Sequence, residues 1–206
     1  MIQIFLKGGP VMWPLLVTSI VALSVVIERV IFTVRVQLHR QPEAVAEIFR
    51  EAENGNFAAA ENAGRRSRDF VARTLTFALA NRDLSFSSAL LQAAERELQR
   101  FNRGVAVLDT VITLAPLLGL FGTVTGMIRA FGLLGASELS APTQITGGIA
   151  EALIATAFGL LIAIIALLPF NFLNARVEQA RHEIETSAAQ LEMLLRRTDK
   201  ETALPR

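Results

Sequence analysis

Apolar residues run without a charge from Val11 to Ile27, and the apolar pattern continues past Glu28-Arg29 to Val34. Two further apolar stretches come much later, Val105 to Leu134 and Ile145 to Phe172, joined by a short polar loop. About 20 residues at about 1.5 Å each cross a hydrocarbon core, so each stretch is long enough for a transmembrane helix. Between the first stretch and the second the chain turns polar, and its apolar residues return at helical spacing. Pro42 opens a helix carrying Val45, Ile48 and Phe49, and Asn54-Gly55-Asn56 turns the chain into a second helix, Phe57 to Ala63. A third, Phe70 to Asn81, carries Val71, Leu75 and Leu79; a fourth starts near Ser87 and runs through Leu90, Ala93, Leu98 and Phe101. After Phe172 the period resumes through Val177, Ile184, Leu191 and Leu195. This segment extends the third span and packs on the helix that precedes Val105.

The pattern predicts an all-α membrane protein with three transmembrane helices, at 11–34, 105–134 and 145–173. An N-terminal segment (1–10) precedes them, a helical domain (35–104) and a loop (135–144) separate them, and a C-terminal helix and tail (174–206) follows. A cleavable signal peptide is the competing reading of the first stretch, but the apolar run is too long and lacks a small-residue cleavage site. Trp13 near its start suits an interfacial anchor.

Composition narrows the class. Of 206 residues, 52% are hydrophobic, which fits a membrane protein with substantial water-exposed parts. The net charge of +1 gives no reason to expect a nucleic-acid partner. There is no Cys, and the two His, His39 and His182, are far apart, so neither a thiolate nor a His-based metal centre is expected, and no cofactor. Basic residues set the orientation. Eleven Arg lie between Arg35 and Arg103 and six Lys or Arg follow Phe172, whereas the N-terminal segment has Lys7 and the loop between the last two spans has Arg129 at its edge. Positive residues mark the cytoplasmic side, which predicts an external N-terminus and a cytoplasmic middle domain and tail.

The last two spans carry polar residues that an anchor does not need. An ionised acid at mid-bilayer costs about 2.5–3.5 kcal/mol on insertion scales, so Glu151 must face water, find a partner or take up a proton. A position near headgroups at the outer end of the span, six residues after Ile145, is the bland alternative. Pro116, Gly119, Thr123, Gly126 and Ala130 recur every three or four residues, and Ala152, Thr156, Gly159 and Ala163 do the same on the next span. Such stripes permit close helix packing, line a narrow lumen, or do both. An ideal helix points Glu151 and Thr156 about 140° apart, so both cannot face one lumen squarely. Asp109, Glu28 and Arg29 read as interfacial residues at inner ends of spans. One deep acid is thin for a complete relay, and the missing group would come from another polypeptide. Paired Asp residues, Ser with Lys or His, and His-Glu-x-x-His are all missing, which speaks against an intramembrane enzyme.

At these residues the chain resembles the ExbB/TolQ/MotA family of proton-channel subunits. Gly119-Leu120-Phe121-Gly122-Thr123-Val124 with Gly126-Met127, and Gly148-Ile149-Ala150-Glu151-Ala152-Leu153-Ile154-Ala155-Thr156-Ala157, are similar to its second- and third-span motifs. Three spans favour the ExbB/TolQ branch over the four-span flagellar one. The resemblance implies that Thr123, Glu151 and Thr156 occupy the proton pathway, with Pro116, Gly119, Gly122, Gly126 and Gly159 packing the pore region. It implies a homo-pentamer with a central pore in the inner membrane bilayer, working with a single-span ExbD/TolR-like partner that carries a membrane Asp. A periplasm-spanning TonB/TolA-like protein would receive the motion. The chain departs from the pattern at Thr125, where relatives commonly have Trp, at Gly147 for a common Pro, and at Ile165, with Pro169 one turn after the usual mid-span Pro. The rival expectation is a passive helical membrane scaffold whose small stripes serve packing alone.

Overall fold

A computed structural model describes residues 2–132 and 141–203, with side chains at 5–82, 85–132 and 145–198. Leu133 and Leu134 of the expected second span, residues 135–140 of the loop, Met1 and the last three residues lie outside it. The described residues form helices and no strand: α1 (Ile2–Lys7), α2 (Met12–Leu38), α3 (Pro42–Glu53), α4 (Phe57–Arg65), α5 (Phe70–Ala80), α6 (Arg82–Asn102), α7 (Val105–Gly132) and α8 (Ala141–Ala203). Three of them, α2, α7 and α8, contain stretches long and apolar enough to cross a membrane. α8 begins at Ala141, four residues before the expected start of the third span, and runs on past Phe172 as one helix. No glycine and only Pro169 interrupts its later part, so nothing in the sequence stops it at the membrane surface.

These residues fall into two compact units, Met1–Arg29 with Gly104–Phe172, and Val30–Arg103 with Leu173–Arg206. The first contains the apolar spans. Val11, Met12, Leu15 and Ala115 are buried together, with Phe5, Leu118, Phe158 and Ile162 packed on them. Outward-facing residues of the same helices are large and apolar; Val17, Leu117, Leu120 and Leu168 are each more than half exposed. A surface of that kind suits a lipid solvent and would be an aggregation hazard in water. Ahead of α2, Gly8-Gly9-Pro10 reverses the chain, and Phe5 meets Trp13 edge to face at 5.5 Å.

The second unit is a helical domain built around α5. Pro42 occupies the first turn of α3, where its missing N–H costs nothing. Gly55, at φ 74°, provides the left-handed residue that ends α3, and the Asn56 side chain then caps α4 by accepting from the Ala59 N–H at 3.2 Å. α5 is buried nearly all round, with Val71, Leu75 and Leu79 in a core shared with Ile48, Leu98, Ile184 and Leu191. Such a short apolar helix cannot span a bilayer and instead fills the middle of a small bundle. Within α6, Ser85 is extended (φ −174°, ψ 106°) and its hydroxyl accepts from the Ser88 N–H at 3.3 Å, which restarts the helix close to the predicted Ser87.

Asp69 ties this unit together. It is 1% exposed, and its carboxylate accepts from the N–H groups of Val71 (2.8 Å), Ala72 (3.4 Å) and Gln41 (3.0 Å) while Arg40 Nε lies 3.4 Å away. One side chain thus caps α5 and fixes the approach to α3. Asp69→Ala is expected to destabilise the domain by about 2–3 kcal/mol, the sum of a lost cap and orphaned buried donors. Asp69→Asn, which keeps an acceptor, should lose less; thermal unfolding in detergent by circular dichroism measures both.

Candidate functional site

The second and third spans meet through their smallest residues. Ala115, Gly119, Gly122, Gly126 and Ala130 are the buried residues of the α7 face, and Ala152, Ala155 and Gly159 are buried on α8. The register is antiparallel. A Cβ added at Gly126 would come 3.1 Å from that of Ala152, one at Gly122 2.5 Å from that of Ala155, and one at Gly159 2.5 Å from the Ala115 carbonyl oxygen. At the loop end of the hairpin, Gly148 lies against Ala130. Lipid gives no hydrophobic drive for two helices to associate, so such packing depends on dispersion at short range and on polar groups reaching across. Pro116, expected in this stripe, is half-buried, and its neighbour Ala115 makes the contact with Gly159.

Because the backbones approach so closely, a side chain on one helix reaches a carbonyl on the other. Thr156 Oγ1 donates to the Gly119 carbonyl oxygen at 3.0 Å. Thr123 Oγ1 instead donates to the Leu120 carbonyl of its own helix at 2.7 Å, the ordinary habit of a threonine in a membrane helix. The two hydroxyls therefore serve separate carbonyls, those of the consecutive residues Gly119 and Leu120 of α7. Each keeps acceptor capacity, since a hydroxyl has one proton and two lone pairs. Thr156 holds the hairpin together; Thr123, half-buried, does not.

Glu151 lies nearer the loop end. Its carboxylate accepts from Arg129 Nη1 of α7 at 2.7 Å, with side-chain exposures of 22% for the acid and 47% for the arginine. On its other side stands the Gly8-Gly9-Pro10 turn. Gly9 has φ 73°, and a Cβ there would overlap the Glu151 carboxyl group, so the turn requires glycine both for its backbone and for the space. The sequence alone offered Glu151 no partner within this chain; the structure corrects that. Arg129 is the basic residue at the edge of the loop, and the antiparallel small-residue register places it opposite Ile149, two residues from Glu151. The long arginine side chain spans that offset to reach the carboxylate.

The other polar residues of the spans stand apart. Arg29 is 2% exposed and binds Glu28 through both Nε (3.1 Å) and Nη2 (2.5 Å). Asp109 is exposed on the first turns of α7, where its backbone carbonyl accepts from the Thr113 hydroxyl. Among the described residues, no group of His, Cys, Asp and Glu could hold a metal ion.

The sequence profile of the MotA/TolQ/ExbB proton channel family matches residues 63–186, which include α7 and the Glu151 and Thr156 turns of α8. The chain belongs to the MotA/TolQ/ExbB proton channel family. It is 39% identical over 198 residues to the ExbB-like 1 protein of Synechocystis sp., covering 93% of this chain and 78% of that one. The TolQ protein of the Tol-Pal system of Haemophilus influenzae is 43% identical over 89 residues, 43% of this chain and 39% of its own. The biopolymer transport protein ExbB of Neisseria gonorrhoeae is 38% identical over 98 residues, 48% of this chain and 44% of its own. These likenesses assign the chain to the ExbB/TolQ-like branch.

Two expectations follow from the hairpin. Thr156→Val should weaken the α7–α8 association by about 0.5–1.5 kcal/mol, and Gly122→Leu by more, because the helices must separate. Thermal stability in a mild detergent reads both. A double-mutant cycle with Arg129→Gln and Glu151→Gln should give a favourable coupling of about 0.5–1 kcal/mol, and a value of zero would mean that the ion pair does not hold the hairpin.

Proposed function

We propose that the protein is the proton-channel subunit of an inner-membrane motor driven by the proton-motive force. It assembles as a homo-pentamer around a single-span ExbD/TolR-like partner whose membrane Asp takes up protons. Proton flow through the pore then drives motion, delivered through a TonB/TolA-like periplasm-spanning protein to outer-membrane transport or envelope upkeep. The chain acts as a conduit and not as an enzyme. Its N-terminus is periplasmic, and its helical domain and C-terminus are cytoplasmic, a reading supported by the concentration of Arg in those two segments.

The observation that carries this reading is the α7–α8 hairpin of a proton channel family, bearing Thr123, Thr156 and the Arg129-paired Glu151 among apolar residues. Polar groups in a span are costly and need a use. Thr123 and Thr156 line the lumen with hydroxyls, and Glu151 sets its electrostatics. The energy is adequate, since each charge crossing 100 mV releases about 2.3 kcal/mol.

A second reading, the passive scaffold, draws on one specific observation: the small-residue stripes are consumed in packing within a single chain. Substitution separates the two. Glu151→Ala is expected to leave the oligomer intact on native mass spectrometry and to abolish energised work in a complementation assay. Thr123→Val with Thr156→Val should impair the same work in an assembled complex; full activity in that double variant would favour the scaffold.

A further inference from the structure

We propose that a basic cavity in the second unit binds the phosphate headgroup of an acidic phospholipid. The cavity is about 460 Å³ and is lined by Arg35, Arg68, Arg73 and Arg100 around an apolar base that includes Phe70 and Phe101. Its single acid is Glu97, so the lining carries an excess of three positive charges. Glu97 is 6% exposed and accepts from Arg73 Nη2 at 2.9 Å and Arg100 Nη1 at 2.8 Å, which fixes two guanidinium groups at the cavity wall. Phe70 and Phe101 stack edge to face at 5.1 Å beneath them.

The remaining two guanidinium groups have no carboxylate among the described residues. Arg68 Nη1 lies 3.4 Å from Nε2 of His39, whose Nδ1 is 2.6 Å from the Arg35 carbonyl oxygen. An imidazole carries no negative charge, so His39 beside Arg68 offsets none of the positive charge of the lining. Arg35 has no ion pair among the described residues. Guanidinium forks without carboxylates match a phosphate, which takes bidentate hydrogen bonds from them.

A lipid fits better than a soluble phosphate because of the helix that carries the site. Arg35 lies on the last turn of α2 and His39 directly follows that helix, past its long apolar run. Beside Arg35 the last turns of α2 expose Ile31 (48%), Val34 (52%) and Leu38 (77%), at the spacing of one helix face. An amphiphile with its phosphate among the arginines and an acyl chain along that stripe satisfies both surfaces, whereas free phosphate leaves the stripe bare. This inference does not depend on the protein conducting protons.

The test places the full-length protein in nanodiscs of equal parts phosphatidylglycerol and phosphatidylcholine, releases it, and counts retained lipids by native mass spectrometry. Phosphatidylglycerol should be retained in preference, and Arg35→Gln with Arg68→Gln should cut that preference by up to about 25-fold, since basic residues near a membrane each favour acidic lipid by about fivefold. Arg35→Lys with Arg68→Lys should keep most of it. Arg50→Gln with Arg65→Gln, exposed arginines outside the cavity, should change nothing. Equal retention of the two lipids, or a glutamine double variant that retains phosphatidylglycerol like the parent, overturns the proposal. Displacement of the lipid by millimolar inorganic phosphate would overturn it also, assigning the cavity to a soluble anion.

Discussion

The distance between α7 and α8 controls the membrane part of this protein. Two helices in lipid have little reason to touch unless their backbones come close enough for dispersion and hydrogen bonding to replace contacts with acyl chains. Glycine and alanine at Gly119, Gly122, Gly126, Ala152, Ala155 and Gly159 make that approach possible. The close approach in turn creates the polar contacts. Thr156 reaches the Gly119 carbonyl only because Gly119 has no side chain in the way. A larger residue anywhere along the seam would lengthen that bond, and with it the reach of Arg129 toward Glu151 at the loop end.

Glu151 shows how a costly group is accommodated. A carboxylate in an apolar span requires a partner, and three separate pieces of chain provide its surroundings: its own helix, Arg129 from α7, and the turn at Gly9. The ordinary threonine Thr123 and the bridging threonine Thr156 differ in the same sense. Identical side chains in matching motifs do different work, one bonded to its own helix and one to its neighbour. For a family of proton channels this matters, because a hydroxyl that joins two helices is sensitive to any movement between them.

The helical domain follows soluble rules. α5 is mostly apolar and buried nearly all round, Arg73 being its charged exposed residue, and Asp69 satisfies N–H groups of its first turn while holding Arg40 and the start of α3. Its surface has a second character. Arginines that find no acid collect around Phe70 and Phe101, next to the exposed apolar end of α2. Aromatic packing and unmatched charge in one place make a site for an amphiphilic anion, the composition expected where a domain borders an acidic membrane surface.

Much of this was legible in the sequence. Hydropathy located the three spans, because a bilayer demands about 20 apolar residues in a row regardless of what surrounds them. Helical period, Pro42 and the Asn54-Gly55-Asn56 turn located the domain helices, because caps and turns are local chemistry. The small-residue stripes and the Gly-Ile-Ala-Glu-Ala motif pointed to the family and to Thr123, Glu151 and Thr156. What sequence could not decide was partnership between residues far apart in the chain. The Arg129–Glu151 pair, the bridge from Thr156 to Gly119 and the fit of Glu151 into the turn at Gly9 join positions 22 to 142 residues apart. The arginine cavity likewise draws on α2, α5 and α6 together. Local propensity acts over one turn of helix, whereas these contacts exist only once helices have chosen a register, and that choice belongs to the tertiary structure.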